Sequence, residues 1–283
     1  MQLYFKKQKY LFKLLLLNLT YFYPMKIQNI FILLLFLNLI GCKDEVPLNF
    51  STESFTEETF DICQTVSCPE ITINYIKAVG DKSISEKINL EIINYITTAL
   101  NIGEDSSSKA KTINDAASGF IKVARLHAAD FPDMSAEYFA EINISDLHFS
   151  AELVSIEMHQ YFYTGGAHGS GNTIFLNINP KTGTKIPSEA LFKNSIDFTS
   201  FAENKFREAN KISSNESINS TGFWFDDESF YLPNTIGLTE TSLILLYNQY
   251  EIASYAEGPV ELKIPLEQVK EYLNFKVSPS RIE

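Results

Sequence analysis

Eleven consecutive residues, Tyr161–Gly171, combine a histidine with a high density of glycine. Four of the chain's 12 glycines lie here, at positions 165, 166, 169 and 171. Glycine tolerates positive φ and close approach of other groups, so the stretch predicts a tight loop between two strands with His168 near its tip. An imidazole there can exchange a proton or hydrogen-bond a ligand. A structural role, with the ring bonding its own loop, is the alternative, and the same two interpretations apply to Tyr161, Tyr163 and Thr164.

The sequence places no recognisable catalytic partner beside this histidine. Ser170 lies between two glycines, but the pattern is not the Gly-x-Ser-x-Gly nucleophile elbow. The run Asp226-Asp227-Glu228 offers paired carboxylates, although such a run is more typical of a solvated turn. His127, His148 and His159 have no zinc-type spacing. We therefore predict no catalytic residue, no metal site and no cofactor, since phosphate-loop and dinucleotide motifs are also missing from the sequence.

The first 41 residues differ in character from the rest of the chain. They contain five lysines and no acidic residue, and Met25 offers a second candidate start. From Met25, a basic start, the apolar run Ile30–Ile40 and then Gly41-Cys42 follow in the order of a secretory signal. Leu39–Cys42 resembles the bacterial lipobox, which predicts lipidation of Cys42. A transmembrane anchor is the alternative, but the run is short for a span and acidic residues follow it.

The charge of the chain limits its partners. It carries 23 basic and 35 acidic residues, and five of the basic ones and none of the acidic ones precede Cys42, which leaves −17 for the mature protein. Such a protein repels nucleic acid and anionic headgroups and attracts basic partners. Lys43-Asp44-Glu45 resembles a short tag that exports lipoproteins to the surface of some diderm bacteria; a solvated linker start is the alternative. We expect a cell-envelope lipoprotein, anchored to the outer membrane through Cys42, with surface exposure if the tag functions.

Cys63 and Cys68 are the other two cysteines of the chain. They are close together in a protein predicted to lie outside the cytoplasm, which favours a disulfide closing a small loop. A metal site is the alternative, but no second Cys or His pair stands nearby to complete four ligands.

The pattern of apolar residues predicts the elements around these features. Residues 42–59 are polar and acidic, which predicts a flexible tether. The alternating run Ile71–Ile76 predicts a strand, and apolar residues four apart predict a helix that starts with Asp81 or Ser83 as its cap and stops near Gly103. A second helix is expected from Thr112 to Ala129, and three strand-like runs follow, ending at Tyr163. Helices followed by a meander of strands favour an α+β fold.

Further elements are expected beyond the glycine loop. They are a strand at Thr173–Ile178, a turn at Asn179–Thr184, helices from Pro187 and at Phe198–Lys211, apolar runs at Ser242–Tyr247 and Val260–Ile264, and a closing helix at Leu266–Leu273. We divide the chain into a signal region (1–41), a tether (42–59) and two subdomains (60–171 and 172–283). Each subdomain is expected to be an antiparallel sheet packed with helices.

Three motifs in order support a family resemblance. They are Tyr163–Gly169, the turn Asn179–Gly183 leading to Ile186–Lys193, and Tyr250–Pro259 followed by Ile264-Pro265. Together they resemble an extracytoplasmic module of undefined function, over about residues 71–273. That module forms the outer part of a lysozyme-sensing anti-sigma factor (RsiV-like), and its first part precedes the catalytic domain of a peptidoglycan deacetylase (PdaC-like). The resemblance implies two α+β subdomains, PdaC-like then RsiV-like, and implies no catalysis of their own.

Two functions follow from the resemblance and the charge. The first is a non-catalytic binding module for a basic, lysozyme-like protein or for peptidoglycan, with the contact surface formed by Tyr163, Thr164, Gly165, Gly166, His168, Gly169, Tyr250 and Tyr255. The second is a wall-modifying hydrolase that uses His168 with Asp226 or Asp227 as acid and base. We favour binding, because no catalytic constellation is visible. A structural lipoprotein without a specific ligand is a third alternative.

Overall fold

The structure, a computed structural model, describes residues 47–102, 110–131 and 137–277. These residues belong to one compact unit, Val46–Glu283. The predicted signal region, the Cys42 lipidation site and the Lys43–Glu45 tag lie outside the described residues. Within the ranges given, no helix is both long and apolar enough to cross a membrane.

The described chain forms nine strands and four α-helices. In order they are β1 (Asn49–Thr56), β2 (Glu70–Val79), α1 (Lys82–Ala99), α2 (Ile113–Asp130), β3 (Phe139–Phe149), β4 (Val154–Tyr163), β5 (Ser170–Asn179), β6 (Thr184–Lys185), α3 (Ser195–Asn210), β7 (Thr235–Leu238), β8 (Ser242–Tyr247), β9 (Val260–Pro265) and α4 (Leu266–Val269). Strands β1 to β6 make a six-stranded sheet in sequence order, and β7 to β9 make a smaller sheet. The predicted α+β class is confirmed.

One strand pair departs from the predicted antiparallel sheets. β2 and β3 pair in parallel, whereas the other neighbouring strands of both sheets are antiparallel. A parallel pair needs a long crossover connection, and the two helices α1 and α2 supply it. The prediction of a wholly antiparallel larger sheet was therefore wrong at this pair, because the helices return the chain to the end of the sheet where β2 began.

The predicted tether is also wrong over part of its length. β1 lies inside residues 42–59 and pairs antiparallel with β2 from Asn49↔Val79 to Thr56↔Thr72. Phe50 and Phe55 pack against the core under the sheet. Two aromatic residues and a continuous ladder of backbone hydrogen bonds are thus enough to hold an edge strand whose composition is otherwise that of a linker.

Both helices that follow begin at side-chain caps and cover one face of the larger sheet. Asp81 accepts hydrogen bonds from the Ser83 and Ile84 amides at 2.9 and 3.2 Å, and Thr112 accepts one from the Asp115 amide at 3.1 Å, which satisfies free amides of the first turn. The buried stripes of the two helices complete the first core, with Ile88, Ile92, Ile96, Leu100, Ala117 and Phe120 among its members.

The smaller sheet packs on the opposite face of the larger sheet, across β4 and β5. The Asn177 side chain donates to the Ile236 carbonyl at 2.7 Å, and the Ser155 hydroxyl accepts from the Leu238 amide at 3.0 Å. Gly237 lies directly over Phe175, and a Cβ atom at that position would overlap the phenyl ring. The two sheets therefore approach closely because residue 237 has no side chain.

A second core lies on the far side of the smaller sheet, under α3. It includes Phe198, Phe206, Leu243, Leu245 and Tyr247, all fully buried. The architecture is thus four layers: α1 with α2, the larger sheet, the smaller sheet, and α3. Since β5 begins at Ser170 and pairs along β4, the larger sheet continues past the predicted boundary at residue 171, and the change of sheet falls between β6 and β7.

The loop between β1 and β2 holds the disulfide. The Cys63 and Cys68 sulfur atoms are bonded at 2.02 Å. Both cysteines pack against the first core, so the bond joins the start of β2 to the turn that precedes it.

Candidate functional site

The glycine loop connects β4 to β5, as the sequence predicts. Gly165 and Gly166 have φ of 93° and 94°, a region that residues with a Cβ rarely adopt. The Tyr163 hydroxyl donates to the Gly166 carbonyl at 2.9 Å and closes the loop on itself. Thr164 is exposed.

Gly169 is required for a different reason. A Cβ atom there would lie 2.5 Å from the Tyr161 hydroxyl oxygen and 2.8 Å from the Phe162 carbonyl oxygen, both far below van der Waals contact. Tyr161 thus lies flat over the backbone of the loop. On its other side Tyr161 packs against Phe139, with 5.6 Å between ring centroids, and Phe139 also stacks on Tyr163 at 6.1 Å.

His168 is stacked on Tyr255, which lies in Tyr250–Pro259, the third of the motifs that support the family resemblance. The ring centroids are 3.8 Å apart and the planes differ by 21°. His168 Nδ1 donates to the Gly169 carbonyl at 2.9 Å, and the Tyr255 hydroxyl donates to the same oxygen at 3.1 Å. Since Nδ1 carries the proton, Nε2 of the neutral ring is an acceptor. The histidine therefore holds its loop together while the residue remains exposed.

The turn that carries Tyr250 is fixed to β5 by paired hydrogen bonds. The Thr173 amide donates to the Asn248 side chain at 2.8 Å, and the Asn248 side chain donates to the Thr173 carbonyl at 2.9 Å. The Gly171 amide donates to Gln249 at 3.4 Å. Tyr250 has φ of 66°, is 58% exposed and lies 5.8 Å from the Tyr255 ring. The turn thus presents two tyrosines beside the loop.

We define the tyrosine cluster as Tyr161, Tyr163, His168, Tyr250 and Tyr255. A hydrogen bond to the Tyr255 hydroxyl is the main cause that raises the pKa of the Tyr161 phenol above its ordinary value of 10. The Tyr255 hydroxyl already donates to Gly169, so it is placed to accept from Tyr161, which stabilises the protonated form of that phenol. Tyr255 therefore links Tyr161 to the backbone of the loop.

A buried polar network supports the cluster from beneath. The Glu251 carboxylate accepts from the Asn248 amide at 2.9 Å, and burial raises the pKa of this carboxyl above its ordinary value. The Tyr247 hydroxyl donates to the Tyr231 carbonyl at 2.5 Å, and the Tyr231 hydroxyl donates to the Glu251 carbonyl at 3.4 Å. Burial also raises the pKa of the Tyr247 phenol far above its ordinary range. These bonds fix the turn before any ligand arrives.

An exposed tryptophan and a run of acids border the same segment. The Trp224 amide donates to the Ile252 carbonyl at 3.0 Å, and the Trp224 side chain is 44% exposed. Asp226–Glu228 form an exposed single turn of 3₁₀-helix. Asp226 lies close enough to Tyr231 to raise the pKa of its phenol, after the larger effects of burial and Glu251. The acidic run is thus a solvated turn close to Tyr231.

The structure does not assemble the acid–base pair of the hydrolase alternative. The contacts that hold the His168 ring in the described part of the chain are the Tyr255 ring and the Gly169 carbonyl. Asp226 and Asp227 belong to the turn after Phe225, and Asp227 adopts positive φ there. Over the described residues, no group of three or more His, Cys, Asp or Glu side chains has the arrangement of a metal site.

The structure therefore brings together His168 and Tyr255, which are 87 positions apart in the sequence. Of the predicted contact residues, His168, Gly169 and Tyr255 touch one another, Tyr163 and Gly166 close the loop, and Tyr250 lies beside Tyr255. Sequence reasoning missed Phe139, Gln249 and Trp224. Phe139 had a signal, because it lies at the start of the first of the three predicted strand-like runs, whereas nothing in the pattern placed Trp224 beside Ile252.

Comparisons with known proteins bear on both halves of the chain. Residues 62–171 match the family model described as deacetylase PdaC, and residues 189–267 match the family model of a protein of unknown function, DUF3298. No protein with a curated description matches the chain.

Two crystal structures share the fold. A DUF3298 family member from Bacteroides fragilis is 22% identical, with a TM-score of 0.58, and the alignment covers 83% of this chain and 96% of that one. A DUF3298 family protein from Pseudomonas aeruginosa is 19% identical, with a TM-score of 0.53, covering 85% of this chain and 100% of that one. The resemblance predicted from the motifs is therefore confirmed, and the chain carries a PdaC-type region followed by a DUF3298 region.

Proposed function

We propose that the chain is a non-catalytic binding module of the bacterial envelope, and that the tyrosine cluster captures a basic, lysozyme-like protein. The observation that carries the proposal is the His168–Tyr255 stack, which joins the glycine loop and the Tyr250 turn into one exposed aromatic surface. Tyrosine, tryptophan and histidine rings held in this way lose little side-chain entropy on binding, which is why such residues dominate binding energies at interfaces.

The charge around the surface favours a basic partner. Exposed acids lie at Glu257, two residues after Tyr255, and at the turn Asp226–Glu228, which follows the exposed Trp224, and the net charge of the whole chain is −12. Acidic rims steer basic proteins to an interface and raise their association rate. A ligand without net positive charge would gain nothing from this charge, so we rank peptidoglycan second as the ligand of this surface. Attachment to the outer membrane through Cys42 is part of the same proposal.

Calorimetric titration of Val46–Glu283 with purified lysozyme at low and high salt tests the proposal. We expect saturable binding that weakens with salt but persists, because the aromatic contacts are not screened. The double variant His168→Ala/Tyr250→Ala should weaken binding at least tenfold. Phe131→Ala removes an equally exposed ring from the end of α2 and should leave affinity unchanged. Binding that disappears at high salt, or that survives the double variant, contradicts the proposal.

The same protein separates the remaining alternatives. Co-sedimentation with purified peptidoglycan, in the absence of lysozyme binding, would make the wall polymer the ligand. Release of soluble glycan from the wall by the wild-type protein, abolished in His168→Ala, would establish the hydrolase alternative instead. We expect neither result, because the described surroundings of His168 offer it no carboxylate partner.

A further inference from the structure

A groove of about 480 Å³ lies between α1 and the strands β4 to β6. It is on the helix-covered face of the larger sheet, so it opens on the side of the sheet opposite to Tyr161 and the smaller sheet. Its volume falls within the range of about 300–1,000 Å³ that is usual for small-molecule sites. The groove is separate from the tyrosine cluster and from the function proposed for it.

The floor of the groove is apolar and rigid. Met158, Ile174 and Leu176 line it and continue into the first core. The Tyr95 hydroxyl donates to the Met158 carbonyl at 2.9 Å, which holds the tyrosine ring as one wall. Burial raises the pKa of the Tyr95 phenol far above its ordinary range, so this wall stays neutral at any physiological pH.

The rims carry neutral polar side chains from two directions. Asn94 and Thr98 are four residues apart on α1 and therefore share one face of the helix. Gln160 and Asn172 are directly opposite each other in the β4–β5 register, so their side chains stand side by side on the sheet. All four line the groove. In the described part of the chain their side chains make no hydrogen bond to protein, which leaves three amides and a hydroxyl to donate and accept.

The charges at the groove do not select an ion. Glu91 and Lys185 are the charged residues in its lining, and their formal charges cancel. An anion would face Glu91 and a cation would face Lys185. The groove thus combines an apolar floor with paired donors and acceptors and no net charge. A pyranose ring matches these features, since its C–H face packs on apolar side chains while its hydroxyls need donors and acceptors.

We propose that this groove binds a neutral saccharide that carries N-acetyl groups. The methyl of an acetamido group fits the apolar floor, and its N–H and C=O match the free amides of Asn94, Gln160 and Asn172. A plain hexose offers no methyl for the floor and no amide for the rims. The site therefore distinguishes an acetamido sugar from a sugar that has hydroxyls alone.

The test is a titration of ¹⁵N-labelled Val46–Glu283 with N,N′-diacetylchitobiose, followed by amide chemical shifts. We expect saturable shifts at α1, β4 and β5, and at least tenfold weaker binding of cellobiose, which lacks the acetamido groups. Asn94→Ala/Asn172→Ala should weaken diacetylchitobiose at least tenfold with an unchanged melting temperature. Asn143→Ala is the control, since it removes an amide from the other face of the sheet.

Several results would overturn the proposal. They are no saturable shifts, equal affinity for cellobiose, or undiminished binding in the double variant. Shifts confined to the glycine loop and the Tyr250 turn would assign the sugar to the tyrosine cluster. Binding of the neutral dipeptide acetyl-Ala-Ala-amide without binding of the sugar would make the groove a peptide site. None of these results depends on whether lysozyme binds, so the two proposals fail separately.

Discussion

The interface between the larger and the smaller sheet, called the seam below, runs along β5 and β7 past Asn177 and Gly237. Its two ends differ. At one end, the tyrosine cluster faces solvent, and its hydroxyl and imidazole groups are linked into hydrogen bonds. At the other end, His148 is 1% exposed, its ring nitrogens make no hydrogen bond of normal geometry within the described residues, and the Thr239 backbone and Glu240, 3.7 Å from Nδ1, lie beside it. At one end, polar groups thus form an ordered exposed surface, whereas at the other end a titratable group is buried. We expect mutations at the first end to affect binding and at the second to affect stability.

Both ends of the seam depend on the close approach of the two sheets. Of the substitutions predicted here, Gly237→Ala should disturb that approach most. The added methyl overlaps the Phe175 ring, and both elements are buried strands with no room to shift. We expect a loss of about 3 kcal/mol in the free energy of unfolding, typical of severe overpacking, measured by urea denaturation. Gly119→Ala is the matched control, because nothing lies within 4 Å of that position on α2 and alanine favours a helix. Equal stability of the two variants would show that the seam is not tightly packed.

Gly169→Ala should disrupt the tyrosine cluster without changing the packing between the two sheets. The new methyl forces Tyr161 away from the loop, and the Tyr255 hydroxyl then loses its order. We expect a loss of about 2 kcal/mol and loss of partner binding, with the His168 ring protons no longer shifted by the Tyr255 ring in NMR spectra. Ser170→Ala, at the exposed neighbouring position, should leave both readouts unchanged. An intact His168 ring-current shift in Gly169→Ala would contradict the role assigned to this glycine.

Local patterns were enough to predict most of these elements. The caps at Asp81 and Thr112 and the stripe of isoleucines specify α1 and α2, and the glycines specify a loop, because each of these signals acts within one turn of chain. The parallel β2–β3 pair and the strand β7 were missed. Both depend on which distant element supplies the neighbouring backbone, which no local period encodes.

The candidate site divides in the same way. That His168 is near a loop tip follows from the flanking glycines, and that Tyr250 and Tyr255 lie in a turn follows from Gly258-Pro259. Their contact across 87 residues follows from the packing of the smaller sheet on β5, through Asn177 and Gly237. The bulge in β3 between Asp146 and His148 is equally invisible in the sequence, and it turns His148 towards the smaller sheet.

The buried end of the seam predicts a pH dependence of stability. Burial lowers the pKa of His148 below 6.5, although Glu240 and the Thr239 backbone act in the opposite direction. In the window between that lowered pKa and 6.5 the unfolded chain binds more protons than the folded one, so stability falls as the pH falls, by at most about 1.4 kcal/mol per pH unit. Above 6.5 the effect is absent, since the ring is neutral in both states.

His148→Phe should remove this slope, measured as the free energy of unfolding between pH 5 and 7.5. Burial raises the pKa of Glu157 above 4.5, which gives the folded state extra protons and makes stability fall as the pH rises through that range. This opposing effect is common to both proteins and cancels in their difference. His127→Phe, at an exposed position on α2 away from Glu157, serves as the control. A difference curve that is flat below pH 6.5 would mean that His148 does not titrate differently in the two states.

Tyr255→Phe makes the finest test of the exposed end, since it removes one oxygen and keeps the stacked ring. The Gly169 carbonyl loses a donor from Tyr255 and keeps that from His168, so we expect a cost of about 1 kcal/mol or less. The clearer readout is Tyr161, whose raised pKa rests first on its hydrogen bond to Tyr255. That pKa should move down towards 10 in an NMR titration of the tyrosine ring carbons. Tyr272→Phe, on the far side of the smaller sheet, should leave it unchanged. If the pKa of Tyr161 stayed raised, the two hydroxyls would not be coupled, and the cluster would be a set of separate rings.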